Sequence, residues 1–233
     1  MKSAPSVTAF TLKVAAIVGM TCNHVANVFG SDLPGGVMVA LYSLGGLTFP
    51  IMAYLLCEGY RHTSSVRRYA ERLGAFAAVS QVPYSLLFGA TGNVLITLLI
   101  GLGMLWLLDH KRQSLPLCAL GLLGGVAGSA LCDWGVIGPL MIVLFWHFHD
   151  QLRGAALAMI VPFLGLGLPA LSVAVGNPTP LNLGVLGYYT VGFGLATMFM
   201  LSYNGQRGKP LKWFFYAYYP AHLLALWLLA LVL

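Results

Sequence analysis

Long apolar runs, almost free of charge, recur from one end of this 233-residue chain to the other, and they limit the fold more than any motif does. A segment of about 20 apolar residues crosses a bilayer as a helix. Lipid offers no water to backbone N–H and C=O groups, so only helices and closed barrels are stable inside it. The dyad alternation of a barrel strand is absent, which predicts an all-α fold, a polytopic transmembrane helix bundle. Composition agrees: 59% of residues are hydrophobic, 8% are charged, and the mean hydropathy is +0.84, well outside the range of soluble domains. No soluble segment interrupts the runs, so residues 1–233 read as one membrane domain.

Cuts at polar, glycine and proline clusters predict about nine spans: Thr11 to Phe29, Val37 to Cys57, Leu73 to Phe88, Val94 to Leu108, Leu115 to Leu131, Val136 to Phe148, Ala155 to Val175, Leu183 to Tyr203 and Trp213 to Val232. The sixth is short enough to be a re-entrant segment. The first is read as a retained span, because no small-x-small cleavage site follows its apolar run. Charge tests these cuts, since cytoplasmic loops collect Lys and Arg. All 12 basic residues, from Lys2 and Lys13 through Lys111, Arg112 and Arg153 to Lys212, fall on one side when the spans alternate. The opposite loops, around Asp32, "GATGN", "CDWG" and "VGNPTPLN", hold none. An N-terminus inside and a C-terminus outside are therefore expected. The net charge of +6 follows from that orientation and makes no case for nucleic acid.

Smaller features have packing readings. Cys22, Cys57, Cys118 and Cys132 lack CxxC spacing and lie in or beside apolar segments, so no metal site is indicated. "GLLGGVAG", Gly121 to Gly128, offers overlapping GxxxG pairs for close helix approach. From Ser64 a short interfacial helix is expected to run into the third span, with Arg67 and Glu71 one turn apart.

Ionisable residues inside the spans are a different matter. Lys13 and His24 are eleven residues apart in "LKVAAIVGMTCNH", a rotation of about 1100°, roughly 20° past three full turns, and a rise of about 16 Å. They share a face, with the lysine at the basic boundary and the histidine near mid-membrane. Ionisable groups at that depth face a protein interior or a wet cavity, and mark function by default; the competing reading is a core histidine satisfied by a neighbouring helix. "EGYRHT" places Glu58, Arg61 and His62 at the basic end of the second span, where Glu58 and Arg61 have ion-pair spacing. Asn93 and Asp133 lie at the other end, and His222 sits in "YYPAH" of the last span. His147 and His149 are read as a solvated helix end.

A lysine and a histidine on one face suit group transfer. A neutral imidazole takes a proton from an amine or hydroxyl, and lysine meets phosphate as a point charge. A thioester carrier entering from the cytoplasm would hold its phosphates low and deliver its acyl group beside His24. Two other classes are compatible with buried ionisable groups: a transporter or flippase for a small polar solute, and a haem subunit with axial histidines.

The segments "LKVAAIVGMTCNH", "GGLTFPIMAYLLCEGYRHT", "RYAERLGAFAAVSQVPYSLLF", "NVLITLLIGL", "DWGVIGPLMIVLF" and "KWFFYAYYPAHLLAL" together resemble the TraX family of membrane proteins. The Lys-x10-His spacing also resembles the first helix of the acyltransferase 3 group. The resemblance implies acetylation of a pilin N-terminus, or of another protein or glycan amine or hydroxyl, with acetyl-CoA as donor. It implies His24 as general base, with Asp133 and His222 orienting or assisting it. Lys13 with Arg61, Arg67, Arg68 and Arg72 would bind donor phosphates, and Asn23, Glu58, His62 and Asn93 would lie on the substrate side. One departure stands out: the family reads Asp-His where this chain has Asn23-His24, so a carboxylate that would stabilise an imidazolium is missing, unless Asp133 supplies it from another helix.

Overall fold

The computed structural model describes residues 7–110, 114–151 and 153–233; Lys2, Lys111 and Arg112 lie outside them. Among the described residues the chain runs through nine helical rods: α1 (Ala9–Phe29), α2 (Gly35–His62), α3 (Val66–Phe88), α4 (Val94–His110), α5 (Leu115–Ser129), α6 (Ile137–His147), α7 (Gly154–Gly176), α8 (Pro180–Leu201) and α9 (Lys212–Ala230). Four rods, α1, α2, α7 and α8, are long and apolar enough to cross a membrane, and α4, α5 and α6 are shorter apolar helices. Large apolar side chains such as Val79, Val82, Leu120, Leu123 and Met198 point outward, as a lipid-facing surface requires.

Local chemistry sets the rod ends. Thr8 and Ser65 accept hydrogen bonds from the amides of Thr11 and Arg68 and so cap α1 and α3. Thr179 does the same for α8 through Asn182. Gly89, at φ 86°, ends α3 in a conformation that other residues resist. The helix from Val66 to Phe88 is continuous, so the interfacial segment and the third span are one rod.

The sixth rod reaches from one end of the bundle to the other. Asp133, just before α6, donates its amide to the Gly92 carbonyl at the start of α4, and His149, just after α6, hydrogen-bonds Glu58 near the end of α2. Those partners sit at opposite ends of the bundle, so eleven residues, about 16 Å of helix, join them.

The rod α2 is the hub, packed on α1, α6 and α8, while α9 lies between α1 and α3, and α5 sits outside on α4. Phe49 and Ile51 of α2, Leu98 and Leu102 of α4, and Met141 and Ile142 of α6 are fully buried and form the centre of the core. In lipid the apolar environment gives helices no hydrophobic reason to associate, so close backbone approach matters more than in water. Gly121 and Gly125 serve this on α5, facing Leu107 and Met104 of α4. The tightest crossing is α2 on α8. A Cβ on Gly46 would fall 2.0 Å from the Tyr188 carbonyl oxygen, and one on Gly192 would fall 2.6 Å from the Ser43 carbonyl oxygen.

That contact is backbone against backbone, so no side chain can yield. Gly46→Ala should destabilise the protein by about 1–3 kcal/mol through overpacking, whereas Gly124→Ala, with open space around the new methyl, should leave stability unchanged. Melting temperatures in detergent check this: equal values for the two variants would contradict the crossing described.

Candidate active site

Lys13 and His24 do share a face, and that face meets α9. The Lys13 ammonium lies 5.5 Å from the centroid of the Phe215 ring, and His24 Nδ1 is 2.7 Å from His222 Nε2. Between them the Thr21 and Tyr218 hydroxyls are 2.7 Å apart. The face thus carries a ladder of α9 side chains, Phe215, Tyr218 and His222.

The two imidazoles have assigned roles, because the network leaves one arrangement. His222 Nδ1 is 3.0 Å from the Tyr218 carbonyl oxygen, which only accepts, so Nδ1 of His222 carries the proton and donates. With both rings neutral, Nε2 of His222 is then an acceptor, and His24 Nδ1–H donates to it. His24 Nε2 is left with a lone pair, and among the described residues it makes no hydrogen bond. The planes of the rings are within 10° of each other, and Phe88 of α3 and Tyr219 of α9 flank His24 with centroids at 5.3 and 6.3 Å. Both histidines are buried. Together the bonds make a positioned base with its orienting partner on another helix.

Asp133 belongs to a second layer beside this pair. The turn holding it, between α5 and α6 and outside the spans, is clamped: its amide donates to Gly92 O at 2.7 Å, the Gly92 amide donates to Leu131 O at 2.9 Å, and the Thr97 hydroxyl donates to its carbonyl. Trp134 holds the turn further. It has φ 69°, a left-handed conformation costing about 1–3 kcal/mol, and its ring stacks on Phe49 at 4.2 Å. The carboxyl feels the hydroxyls of Tyr84, Tyr188, Tyr189 and Tyr219, and burial raises its pKa to about 6. Tyr188 and Tyr189 lie in a π-helical stretch of α8, Tyr188–Gly192, a distortion that often marks functional sites. Among the described residues Asp133 forms no hydrogen bond or ion pair with His24 or His222, so it does not replace the family's carboxylate by direct contact. Tyr219, 5.5 Å from the His222 ring, stands between the layers.

From the level of Phe49, beside Trp134, α2 continues 14 residues to Gly35, about 21 Å. From His222, α9 continues eight residues to Ala230, about 12 Å. Both rods therefore extend past the site at the end opposite the basic loops.

Other candidates are placed differently. Asn93 is fully buried and spent on structure: its amide nitrogen donates to Ala77 O and Gln81 Oε1, both at 2.8 Å, and its Oδ1 accepts from the Leu95 amide at 3.0 Å, capping α4. Asn23 faces α2. A Cβ on Gly45 would fall 2.6 Å from its own Cβ, and its Oδ1 accepts from Asn27. A carboxylate at this position would therefore not point at the His24 pair. Glu58 bonds His149 Nε2 at 2.9 Å and not Arg61, which pairs with Asp150 at 3.3 Å. His149 Nδ1 meets Asp150 at 3.0 Å, and the His149 hydrogen bond, followed by Arg61, holds the Asp150 carboxyl below its ordinary range. His62 is exposed and 3.9 Å from Glu58. So His149 is no solvated helix end; it ties α6 to α2.

Among the candidate phosphate ligands, Arg67 pairs with Glu71 at 2.8 Å and Arg61 with Asp150. Lys13, Arg68 and Arg72 have no carboxylate at ion-pair distance among the described residues. Arg72 lies over the Tyr69 ring, 5.9 Å from its centroid, and beside the Tyr216 hydroxyl. Tyr219 was not singled out by sequence. Tyr219 precedes His222 by three residues, one helical turn, and that spacing is the signal for it.

The comparisons with known proteins follow. The family described as "TraX protein" matches residues 9–230. A probable fimbrial assembly protein, FimC of serogroup H1 from Dichelobacter nodosus, is 30% identical over 231 residues, covering 92% of each chain. No solved structure matches.

The raised pKa of Asp133 gives a test of its burial. Its pKa is 3.8 when unperturbed and about 6 here, so between those values the folded chain holds a proton that the unfolded chain has lost. Stability therefore falls as pH rises from about 4 to 6. Asp133→Asn should abolish that contribution, flattening the dependence and melting above wild type at pH 7. Melting curves of both proteins between pH 4 and 7 decide it; parallel curves would put the carboxyl in solvent.

Proposed function

The chain belongs to the TraX family, and on that premise we propose that it is a bacterial inner-membrane acyltransferase, moving an acetyl or similar acyl group from cytosolic acyl-CoA to an amine or hydroxyl acceptor. A pilin N-terminus is the acceptor that the resemblance and the fimbrial relative favour. The observation that carries the reading is the hydrogen-bond chain from the Tyr218 carbonyl through His222 to His24, which leaves the lone pair of His24 Nε2 free.

The chemistry is a balanced exchange. The acceptor amine attacks the thioester carbonyl carbon while His24 Nε2 takes the amine proton. The tetrahedral intermediate collapses, the C–S bond breaks, and the imidazolium returns the proton to the leaving thiolate. Acyl-CoA and amine become amide and free CoA. His222 holds the His24 ring in place and accepts the Nδ1 hydrogen bond, which strengthens as His24 becomes cationic. General base catalysis of this type is worth typically 10²- to 10⁴-fold.

Topology supports the two-sided arrangement. With the basic loops cytoplasmic, as charge bias favours, the N-terminus is inside and the C-terminus outside. Lys13, Arg68 and Arg72, free of carboxylates, meet donor phosphates from the cytoplasm. In that orientation the His24 pair lies on the half of α1 and α9 away from the basic loops, the side from which the acceptor arrives.

His24→Ala should lower acetyl transfer from acetyl-CoA by at least about 10²-fold with expression and CoA binding retained, and His222→Gln should lower it less. Thiol release by the purified protein in detergent, with an N-terminal pilin peptide as acceptor, gives the measurement. Wild-type turnover in His24→Ala would eliminate this mechanism, and solute flux without thioester loss would favour transport.

A further inference from the structure

Three buried side-chain atoms have no well-formed hydrogen bond among the described residues: Arg72 Nε, Ser80 Oγ and Tyr219 Oη, the last with the Val94 amide near it. Arg72 and Ser80 belong to α3 and Tyr219 to α9, two helices that pack against each other. Arg72, Phe76, Ser80, Tyr84 and Phe88 follow one another at four-residue steps, which makes them one ridge of α3. Phe76 stacks on Tyr216 of α9 at 5.0 Å, the Tyr84 ring lies 5.2 Å from that of Phe88, and Phe88 ends the ridge against His24 at 5.3 Å. Ser80 is fully buried between these contacts, and Tyr219 is 4% exposed. The ridge thus leads from a buried guanidinium to the base, over about 24 Å of helix.

A buried polar atom left unpaired costs stability, and one is unremarkable. Three in a row, beginning at a cation and ending at a base, describe a site whose partners arrive with a ligand. We propose that the α3–α9 seam binds the amide-bearing arm of the acyl donor, a phosphopantetheine-type thioester. The inference rests on the acyltransferase reading and adds the route. Arg72 meets the phosphate end of the arm, Ser80 hydrogen-bonds an amide midway, and Tyr219 donates its hydroxyl to the thioester oxygen beside His24. An arm with amides and a hydroxyl spaced along a thin chain matches spaced polar atoms on an otherwise apolar wall; a plain acyl chain would leave them unpaired.

The seam is also built to part. Pro83 sits inside α3 and Pro220 inside α9, one residue from Tyr84 and from Tyr219 respectively. Each removes a backbone hydrogen bond from its helix, so both rods bend most easily at the height of the thioester end.

The test measures CoA binding to the full-length protein in detergent by equilibrium dialysis, alongside acetyl transfer. Ser80→Leu fills the seam and should raise the Kd for CoA by at least about tenfold, whereas Ser80→Ala should stay within about threefold. Arg72→Gln should also weaken CoA. Tyr219→Phe keeps the ring, so CoA affinity and melting temperature should hold while kcat falls by about 10²-fold, the usual effect of losing one oxyanion donor. Should Ser80→Leu not fold, Arg72→Gln and Tyr219→Phe still decide. Wild-type CoA affinity in Ser80→Leu or in Arg72→Gln, or wild-type kcat in Tyr219→Phe, would overturn the seam and leave the acyltransferase reading standing. A wild-type protein that neither binds CoA nor consumes acetyl-CoA would instead remove the acyltransferase reading, and the seam with it.

Discussion

The hydrogen bond between His24 and His222 joins the first helix to the last, and its direction is set by a third group, the Tyr218 carbonyl, that has no choice of role. A carbonyl only accepts, so the proton positions on both rings follow down the chain. In water such a chain would exchange among tautomers. In a buried site an unpaired N–H is costly, and the tautomer is held. The base therefore owes its form to backbone geometry one turn away on α9, and to the packing that keeps α9 between α1 and α3.

The other end of the bundle is tied by charge. Glu58, His149, Asp150 and Arg61 form a continuous chain of polar contacts between α2 and the residues just after α6, and Tyr60 donates to Asp109 of α4 at 2.9 Å nearby. This lattice takes up Arg61, as Glu71 takes up Arg67. What remains for an incoming polyanion is the set without carboxylates at ion-pair distance, which among the described residues includes Lys13, Arg68 and Arg72 with Arg153, Arg207, Lys209 and Lys212. The basic end thus divides into cations that hold helices together and cations that do not, a division that a count of Lys and Arg by loop does not reveal.

Much of this was readable beforehand, for physical reasons. Rod number follows from the apolar runs, because lipid forces the backbone into helices. The shared face of Lys13 and His24 follows from the helical period alone. What stayed hidden is whatever depends on which helices become neighbours. Glu58 and Arg61 have ideal ion-pair spacing, yet each found a partner on α6. Asn93 looked like a polar group at a site and is a helix cap whose every polar atom is used. Tyr219 reads as one aromatic among many until its hydroxyl is found buried without a well-formed hydrogen bond. The α9 side chains beside Lys13 and His24 stayed hidden for the same reason: the helical period fixes the face, and says nothing of what packs on it.

Asn23 illustrates how a substitution beside a base leaves the base intact. Consecutive helix residues point about 100° apart, so the side chain before His24 cannot share its surroundings. Asn23 presses on Gly45 and joins a hydrogen-bonded group with Asn27 and Tyr42, a contact between α1 and α2. A carboxylate there would act on His24 only through space and across helix backbone. Its replacement by an amide removes a charge from the α1–α2 interface while the hydrogen bond that orients the imidazole, on the α9 side, is untouched. The base in this chain is positioned by a second imidazole. A neutral pair avoids the desolvation cost of burying a carboxylate, and it leaves the positive charge to appear on His24 only while the proton is in transit.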